Sequence, residues 1–426
     1  MRVVFISANT EQINMPVLPI GMARVAAATE KNGHEIKILN LMRPEHVHLS
    51  LDDALLSFKP DVIGISVRNI DDQNRESPHF LLPPVKRVVQ ECRRLSQAPL
   101  VLGGPGYSIF PEAVMEYLQA DFGICGEGEH ALPLLLDLIH QDPTPSDIPG
   151  LVLPREREKP NPKRIRNLDD YPLPQPDRHL DIPGDTSREE IWVPFQTRRG
   201  CPLYCSYCST PFIEGDFIRR QSVYSALDNL RAFAAAGYKR FFFVDNTFNL
   251  PPSYAEALCD AVIREELDIS WQCIIYPTPI HPRLAEKMAR AGCVGAALGF
   301  ESGSPVILKA MRKRFSPLDV QQAAQSLGAQ RISRRGFLLL GGPDETRDTV
   351  QQSIEFADKL ELESMQVTAG VRIYPHTALA EKAIARGFLG PDQNLLHPVF
   401  YLEPELDGWL QAKTARVVEE RENWQL

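Results

Sequence analysis

Cys201, Cys205 and Cys208 stand in the run Arg199-Gly-Cys-Pro-Leu-Tyr-Cys-Ser-Tyr-Cys, a spacing at which three thiols can bind three corners of one iron–sulfur cube. The fourth iron is then left without a protein ligand. An open, electron-rich iron can chelate a small molecule and pass it an electron, which a fully ligated cluster does not readily do. A zinc knot is the competing assignment. Structural zinc takes four ligands, however, and no second cysteine pair is present: Cys92, Cys125, Cys259, Cys273 and Cys293 are scattered singly through apolar or helical stretches. Those five read as small buried hydrophobes.

A reactive loop of this kind needs a rigid support, and 426 residues exceed what one hydrophobic core usually organises. Short apolar runs at 2–9, 34–41, 61–69, 100–104 and 122–126 alternate with amphipathic stretches such as 20–32 and 84–95, which predicts a doubly wound α/β domain over 1–141. Residues 142–190 are rich in proline and charge and predict an extended linker, with a short strand near Gly150. From 191 to 386 strand and helix alternate six times, which predicts a partial (β/α)6 barrel with a lateral opening, and 387–426 is left as a cap over it. The formal net charge of -9 argues against nucleic acid or an anionic membrane surface as partner. No apolar run is long enough to span a bilayer, and cysteines without a regular framework fit the reducing cytoplasm.

Ligands of such folds bind beyond the carboxyl ends of the strands, and the unusual residues fall there. In the first domain these are Arg68 and Asn69, then Gly103, Gly104 and Gly106, then Gly126 and Glu127; glycine at such turns lets backbone approach a large ligand closely. In the second they are Asp245 and Asn246, Tyr276, Glu301 and Ser302, Gly341, and Arg372. Tyr276, Asp245 and Asn246 are expected to face the space between the two ligand sites.

The CxxxCxxC loop after a strand, followed in order by these strand-end motifs and preceded by the glycine-turn domain, resembles the cobalamin-binding radical S-adenosylmethionine (SAM) enzymes over nearly the whole chain. The resemblance implies a Rossmann-like cobalamin-binding domain, a radical SAM barrel, and three cofactors: a 4Fe-4S cluster, SAM and cobalamin. It further implies that Tyr207 reaches adenine, that Glu301 and Ser302 lie near the ribose and methionine parts of SAM, and that Arg372, Arg219 or Arg220 grips a carboxylate. The Asp-x-His-x-x-Gly loop that gives cobalt a histidine in other cobalamin domains is absent from residues 9–21. Arg68 is the candidate for the lower face of cobalt, as arginine is in some members; pairing of Arg68 with Asp71 or Asp72 stands beside that reading. By resemblance the reaction is transfer of a methyl group from SAM, via methylcobalamin, to a carbon of a small-molecule or peptide substrate, with electrons from an external donor such as flavodoxin or ferredoxin. Cyclisation or rearrangement is the alternative chemistry, and a non-catalytic corrinoid and iron–sulfur sensor is the alternative class.

Overall fold

The computed structural model describes every residue except 9–17, 43–50, 140, 142–146, 155–159, 181 and 183–186. Strands β1 (Arg2–Ser7), β2 (Glu35–Asn40), β3 (Val62–Ser66), β4 (Leu100–Gly103), β5 (Phe122–Ile124) and β6 (Leu151–Val152) form the first sheet in the order β2-β1-β3-β4-β5-β6. All pair in parallel except β6, which runs antiparallel to β5 and draws part of the expected linker into this sheet. The strands are apolar on both sides because both sides are covered. Alternate residues of β1 show it: Val3 and Phe5 enter one core with Met22, Ala26 and Leu135, while Val4 and Ile6 enter the other with Val85 and Val114. The chain order reverses between β1 and β3, which marks the ligand-binding edge of such a sheet. Of the loop 9–21, read as lacking a histidine for cobalt, residues 9–17 lie outside the described residues.

The second domain begins with β7 (Trp192–Phe195) and two short strands, β8 (Arg198–Arg199) and β9 (Arg219–Arg220), which pair antiparallel around the cysteine loop. It continues through β10 (Arg240–Phe243), β11 (Ser270–Ile275), β12 (Cys293–Glu301), β13 (Ser333–Leu340) and β14 (Ser364–Ala369). Then come β15 (Val371–Arg372), its antiparallel partner β16 (Phe400–Tyr401), and β17 (Trp424–Gln425). The sheet order is β17-β14-β13-β12-β11-β10-β7, parallel throughout and open between its ends. Pro194 sits in β7, at an edge where a missing N–H costs least. Several helices of this domain start on proline, including Pro252–Arg264, Pro282–Arg290 and Pro317–Gly328, where the absent donor would have been unpaired anyway.

The C-terminal segment departs from a simple cap. Helix Trp409–Glu419 packs on β14, and β17 extends the barrel sheet beside it. Residues Val371, Ile373, Leu379, Leu396 and Tyr401 pack into the core of the first domain, so the end of the barrel and the first sheet share one apolar cluster.

Candidate cofactor-binding active site

The cysteine loop hangs from β8, where two consecutive arginines point opposite ways, as neighbours on an extended strand must. Arg198 turns into the barrel and meets Asp245: Nε donates to Oδ2 at 3.0 Å and Nη2 lies 2.9 Å from the same oxygen. Asp245 also accepts from the N–H of Thr197 at 2.7 Å and of Arg198 at 2.8 Å. Arg199 turns toward the first domain, where its guanidinium lies 2.5 Å from Glu129 and 3.5 Å from Glu127. Glu127 is shared with Arg219 at 2.5 Å and accepts from the N–H of Ile165 at 2.7 Å. Burial pushes the Glu129 carboxyl up, and Arg199 more than offsets this, holding it below the usual carboxylate range. Asp245 and Glu127, expected at substrate and corrinoid, are therefore buried anchors of the loop, and Arg219 serves the linker.

The loop's middle is pinned from two sides, by Ser206 N–H donating to the Met311 carbonyl at 3.0 Å and Leu379 N–H donating to the Ser206 carbonyl at 2.8 Å. Gly200 precedes it at φ 88°, and a Cβ there would lie 2.1 Å from the Phe217 carbonyl oxygen, so only glycine fits. Cys201, Cys205 and Cys208 are unpaired and half-buried. Burial, and then the neighbouring Cys208 and Cys205, push the Cys201 thiol up to about 11. A cavity of about 450 Å³ opens beside them, lined by Cys205, Cys208, Arg164, Arg312 and His376 among others. Three soft thiols on one loop, close enough to sense one another, fit an iron–sulfur cube with one open iron.

Across the loop, the Tyr207 hydroxyl donates to Glu301 Oε1 at 3.0 Å, and Lys313 Nζ donates to the Tyr207 hydroxyl at 2.9 Å. Glu301 ends β12 at φ 65°. Lys313 was not evident from sequence, where Lys309-Ala-Met-Arg-Lys-Arg reads as a solvated charge run. The Tyr276 hydroxyl accepts from the Arg314 N–H at 2.7 Å, which turns this expected catalytic group into a support for the loop carrying Lys313. Three further expectations are corrected. Asn246 donates to Glu214 Oε2 at 2.5 Å, Ser302 is fully buried against Ser353 at 2.8 Å, and Gly341 gives its N–H to Glu345 at 2.5 Å.

At the edge of the first sheet, Arg68 follows β3 and is half-buried. The carboxylates expected to pair with it are taken: Asp71 by Arg372 at 2.8 Å and Asp72 by His79 at 2.8 Å. Among the described residues Arg68 has no side-chain hydrogen bond or ion pair, and burial draws its guanidinium below its ordinary value. Arg372 also donates to the Ile373 and Leu395 carbonyls, so it clips the two domains together. Gly104, at φ 101°, and Gly106 would place a Cβ 2.6 Å from the Val67 carbonyl and 2.9 Å from that of Arg68. Their freedom thus serves to pack one loop on another and to fix the backbone under Arg68. Gly126 packs on Pro162 and Arg164 of the linker, while Gly103 and Asn69 remain along the open edge. A half-buried cation without a partner at the reversal of strand order fits a corrinoid laid over these strand ends. Helix Pro105–Ile109, which follows the glycine turn, packs on helix Thr210–Glu214, which follows the cysteines.

Two family models match the chain, the B12 binding domain over residues 6–136 and the radical SAM superfamily over residues 195–357. An uncharacterised methyltransferase of Pyrococcus horikoshii is 29% identical over 382 residues, spanning 87% of this chain and 79% of its own. The tryptophan 2-C-methyltransferase of Streptomyces laurentii is 23% identical over 453 residues, spanning 88% of this chain and 73% of its own. Among solved structures, the radical SAM methyltransferase TsrM of Kitasatospora setae, with cobalamin and a 4Fe-4S cluster bound, has the same fold. Its TM-score is 0.89 at 21% identity, covering 100% of this chain and 92% of that one. The fold and the two matched domains define a B12-binding radical SAM protein. The chain belongs to the cobalamin-dependent radical SAM enzymes, whose cofactors are a 4Fe-4S cluster, SAM and cobalamin.

Proposed function

We propose that the protein transfers a methyl group from SAM, by way of the corrinoid, to a carbon of a small-molecule or peptide substrate. The observation that carries this reading is the packing of the helix after the glycine turn, Pro105–Ile109, on the helix after the cysteines, Thr210–Glu214, which draws the two cofactor loops toward each other. When bound, the cluster and the corrinoid supply the redox and methyl-carrying chemistry that no side chain can. The names of the two relatives above, both methyltransferases, support methyl transfer over rearrangement.

The chain's residues then have separate tasks. Cys201, Cys205 and Cys208 hold the cluster. Arg68 would lie against the corrinoid and, having no lone pair to give, would offer its cobalt no ligand. Glu301 spends Oε1 on Tyr207 and Lys313, which leaves Oε2 for a ribose hydroxyl or the ammonium of SAM. The Tyr207 ring lies beside this carboxylate, where adenine can stack. Electrons come from an external donor of the flavodoxin or ferredoxin class, in the cytoplasm. No helix among the described residues is long and apolar enough to cross a membrane.

The test needs no substrate. Protein reconstituted anaerobically with iron, sulfide and cobalamin is expected to hold one cluster and one corrinoid, and under a low-potential reductant to convert SAM to S-adenosylhomocysteine. Formation of 5′-deoxyadenosine alone would favour rearrangement chemistry. SAM left intact would return the protein to the class of cofactor-binding sensors.

A further inference from the structure

Lys309, Arg312, Lys313 and Arg314 form a basic run, yet only one of the four is drawn inside. Lys309, Arg312 and Arg314 are exposed, whereas the Lys313 side chain is 4% exposed. The turn inward is made by Arg312, which sits at φ 59°, a left-handed conformation that costs an L residue strain. The strained turn is tied to the cysteine loop through the Met311 carbonyl and the Ser206 N–H. A buried ammonium held by a strained turn calls for a reason, because burial alone disfavours its charge.

Its hydrogen-bond partners lie on the side of the site proposed above for SAM. Nζ donates to the Tyr207 hydroxyl at 2.9 Å and to the Gly299 carbonyl at 3.2 Å, and lies 3.4 Å from Glu301 Oε1. It also stands over the Tyr207 ring, 5.3 Å from its centroid. Tyr207 stands between Cys205 and Cys208, and the turn that carries Lys313 is bonded to the same loop at Ser206, so the charge is fixed against the loop that holds the cluster. We propose that Lys313 is a positioning residue that locks Tyr207 and Glu301 for SAM and raises the reduction potential of the cluster held by this loop. Reduction adds one electron to the cluster, from an external one-electron carrier and with no proton. A fixed cation in a dry setting favours the more negative product over the oxidised cluster.

The inference rests on the cluster assignment above, and the experiment separates the two. Wild-type, Lys313→Met, Lys313→Arg and Glu301→Gln proteins are reconstituted anaerobically, assayed for iron and sulfide, and titrated potentiometrically with the reduced cluster read by its paramagnetic signal. Held at the wild-type midpoint, Lys313→Met is expected to show about a tenfold lower reduced-to-oxidised ratio, equivalent to about 59 mV for a one-electron couple. Lys313→Arg should restore most of that ratio, and Glu301→Gln, which leaves the cation uncompensated, should raise it. A fully loaded Lys313→Met protein with an unchanged ratio overturns the proposal. Should that variant fail to load, an unchanged ratio in Glu301→Gln overturns it equally. Failure of the wild type to take up iron would instead overturn the cluster assignment on which it rests.

Discussion

Replacing Arg199 by methionine isolates the contact that joins the cysteine loop to the first domain. Glu129 is 4% exposed, and Arg199 is the side chain that donates to it. Glu127 keeps Arg219 at 2.5 Å, so the substitution strands one carboxylate and not two. Removing one member of a buried pair costs about 3–5 kcal/mol, because the other charge stays desolvated. The nearby Arg24 guanidinium, which acts on Glu129 through its charge, places the expected cost near the lower end, about 3 kcal/mol. Adding Glu129→Gln removes the stranded charge, so the double variant should recover about 2 kcal/mol of that loss. The sign of the pH effect follows. In Arg199→Met the carboxyl loses its stabilising cation and its folded-state pKa rises, so the penalty is full at high pH and shrinks as pH falls through that raised value. Urea midpoints of iron-free protein at pH 8 and pH 5.5, followed by circular dichroism, read all of this without cluster loss confusing the result. A single variant within about 1 kcal/mol of wild type at pH 8, or a double variant no more stable than the single, would refute the reasoning.

Three other outcomes are expected. Arg68→His offers cobalt a lone pair, so the absorption spectrum of bound corrinoid should shift to that of a nitrogen-ligated form; an unchanged spectrum would show that residue 68 does not face cobalt. Gly104→Ala combines φ 101° with a Cβ 2.6 Å from the Val67 carbonyl, and the thermal midpoint should fall by the equivalent of about 2–4 kcal/mol; a midpoint within error of wild type would mean the two loops can separate freely. Burial pushes the Glu345 carboxyl up to about 7 from 4.5, against the pull of the Gly341 and Gly342 N–H groups. A carboxyl raised in the folded state contributes stability below its unfolded pKa and loses it as pH climbs through the folded one. Relative to wild type, Glu345→Gln should therefore gain up to about 3 kcal/mol between pH 4.5 and pH 8, and urea midpoints that stay parallel across this range would contradict it.

What could be read from sequence was what local chemistry dictates. The cysteine spacing is explicit because one cube fixes three ligands on one loop, and the buried parallel strands are explicit because they are apolar on both faces. Pairings between distant residues were opaque. Gly126-Glu127-Gly128-Glu129 looks like a cofactor turn until Arg199 is seen 70 residues away from Glu129. Arg372 looks like a carboxylate grip, yet its partner Asp71 lies 301 positions earlier. That same pairing takes Asp71 from Arg68, as His79 takes Asp72. Lys313 is hidden in a run of surface charge, and only the left-handed turn at Arg312 sends it inward. The strand at Trp424–Gln425 is too short to carry a periodic signal, so this sheet edge reads in sequence as part of a cap.

The opposed arginines of β8 bear on how such a protein could be recombined. With Arg198 seated in the barrel and Arg199 in the neighbouring domain, the segment entering the cysteine loop works as a rivet through two plates. A hybrid that kept this barrel and borrowed its corrinoid module from elsewhere would inherit half of that joint. Unless the borrowed module brought carboxylates where Glu127 and Glu129 stand, Arg199 and Arg219 would be buried without a counter-charge from that module at the threshold of the cluster. Compatibility between modules is therefore decided at a few charges beside the reactive loop, and a library of module swaps should be sorted by those positions first.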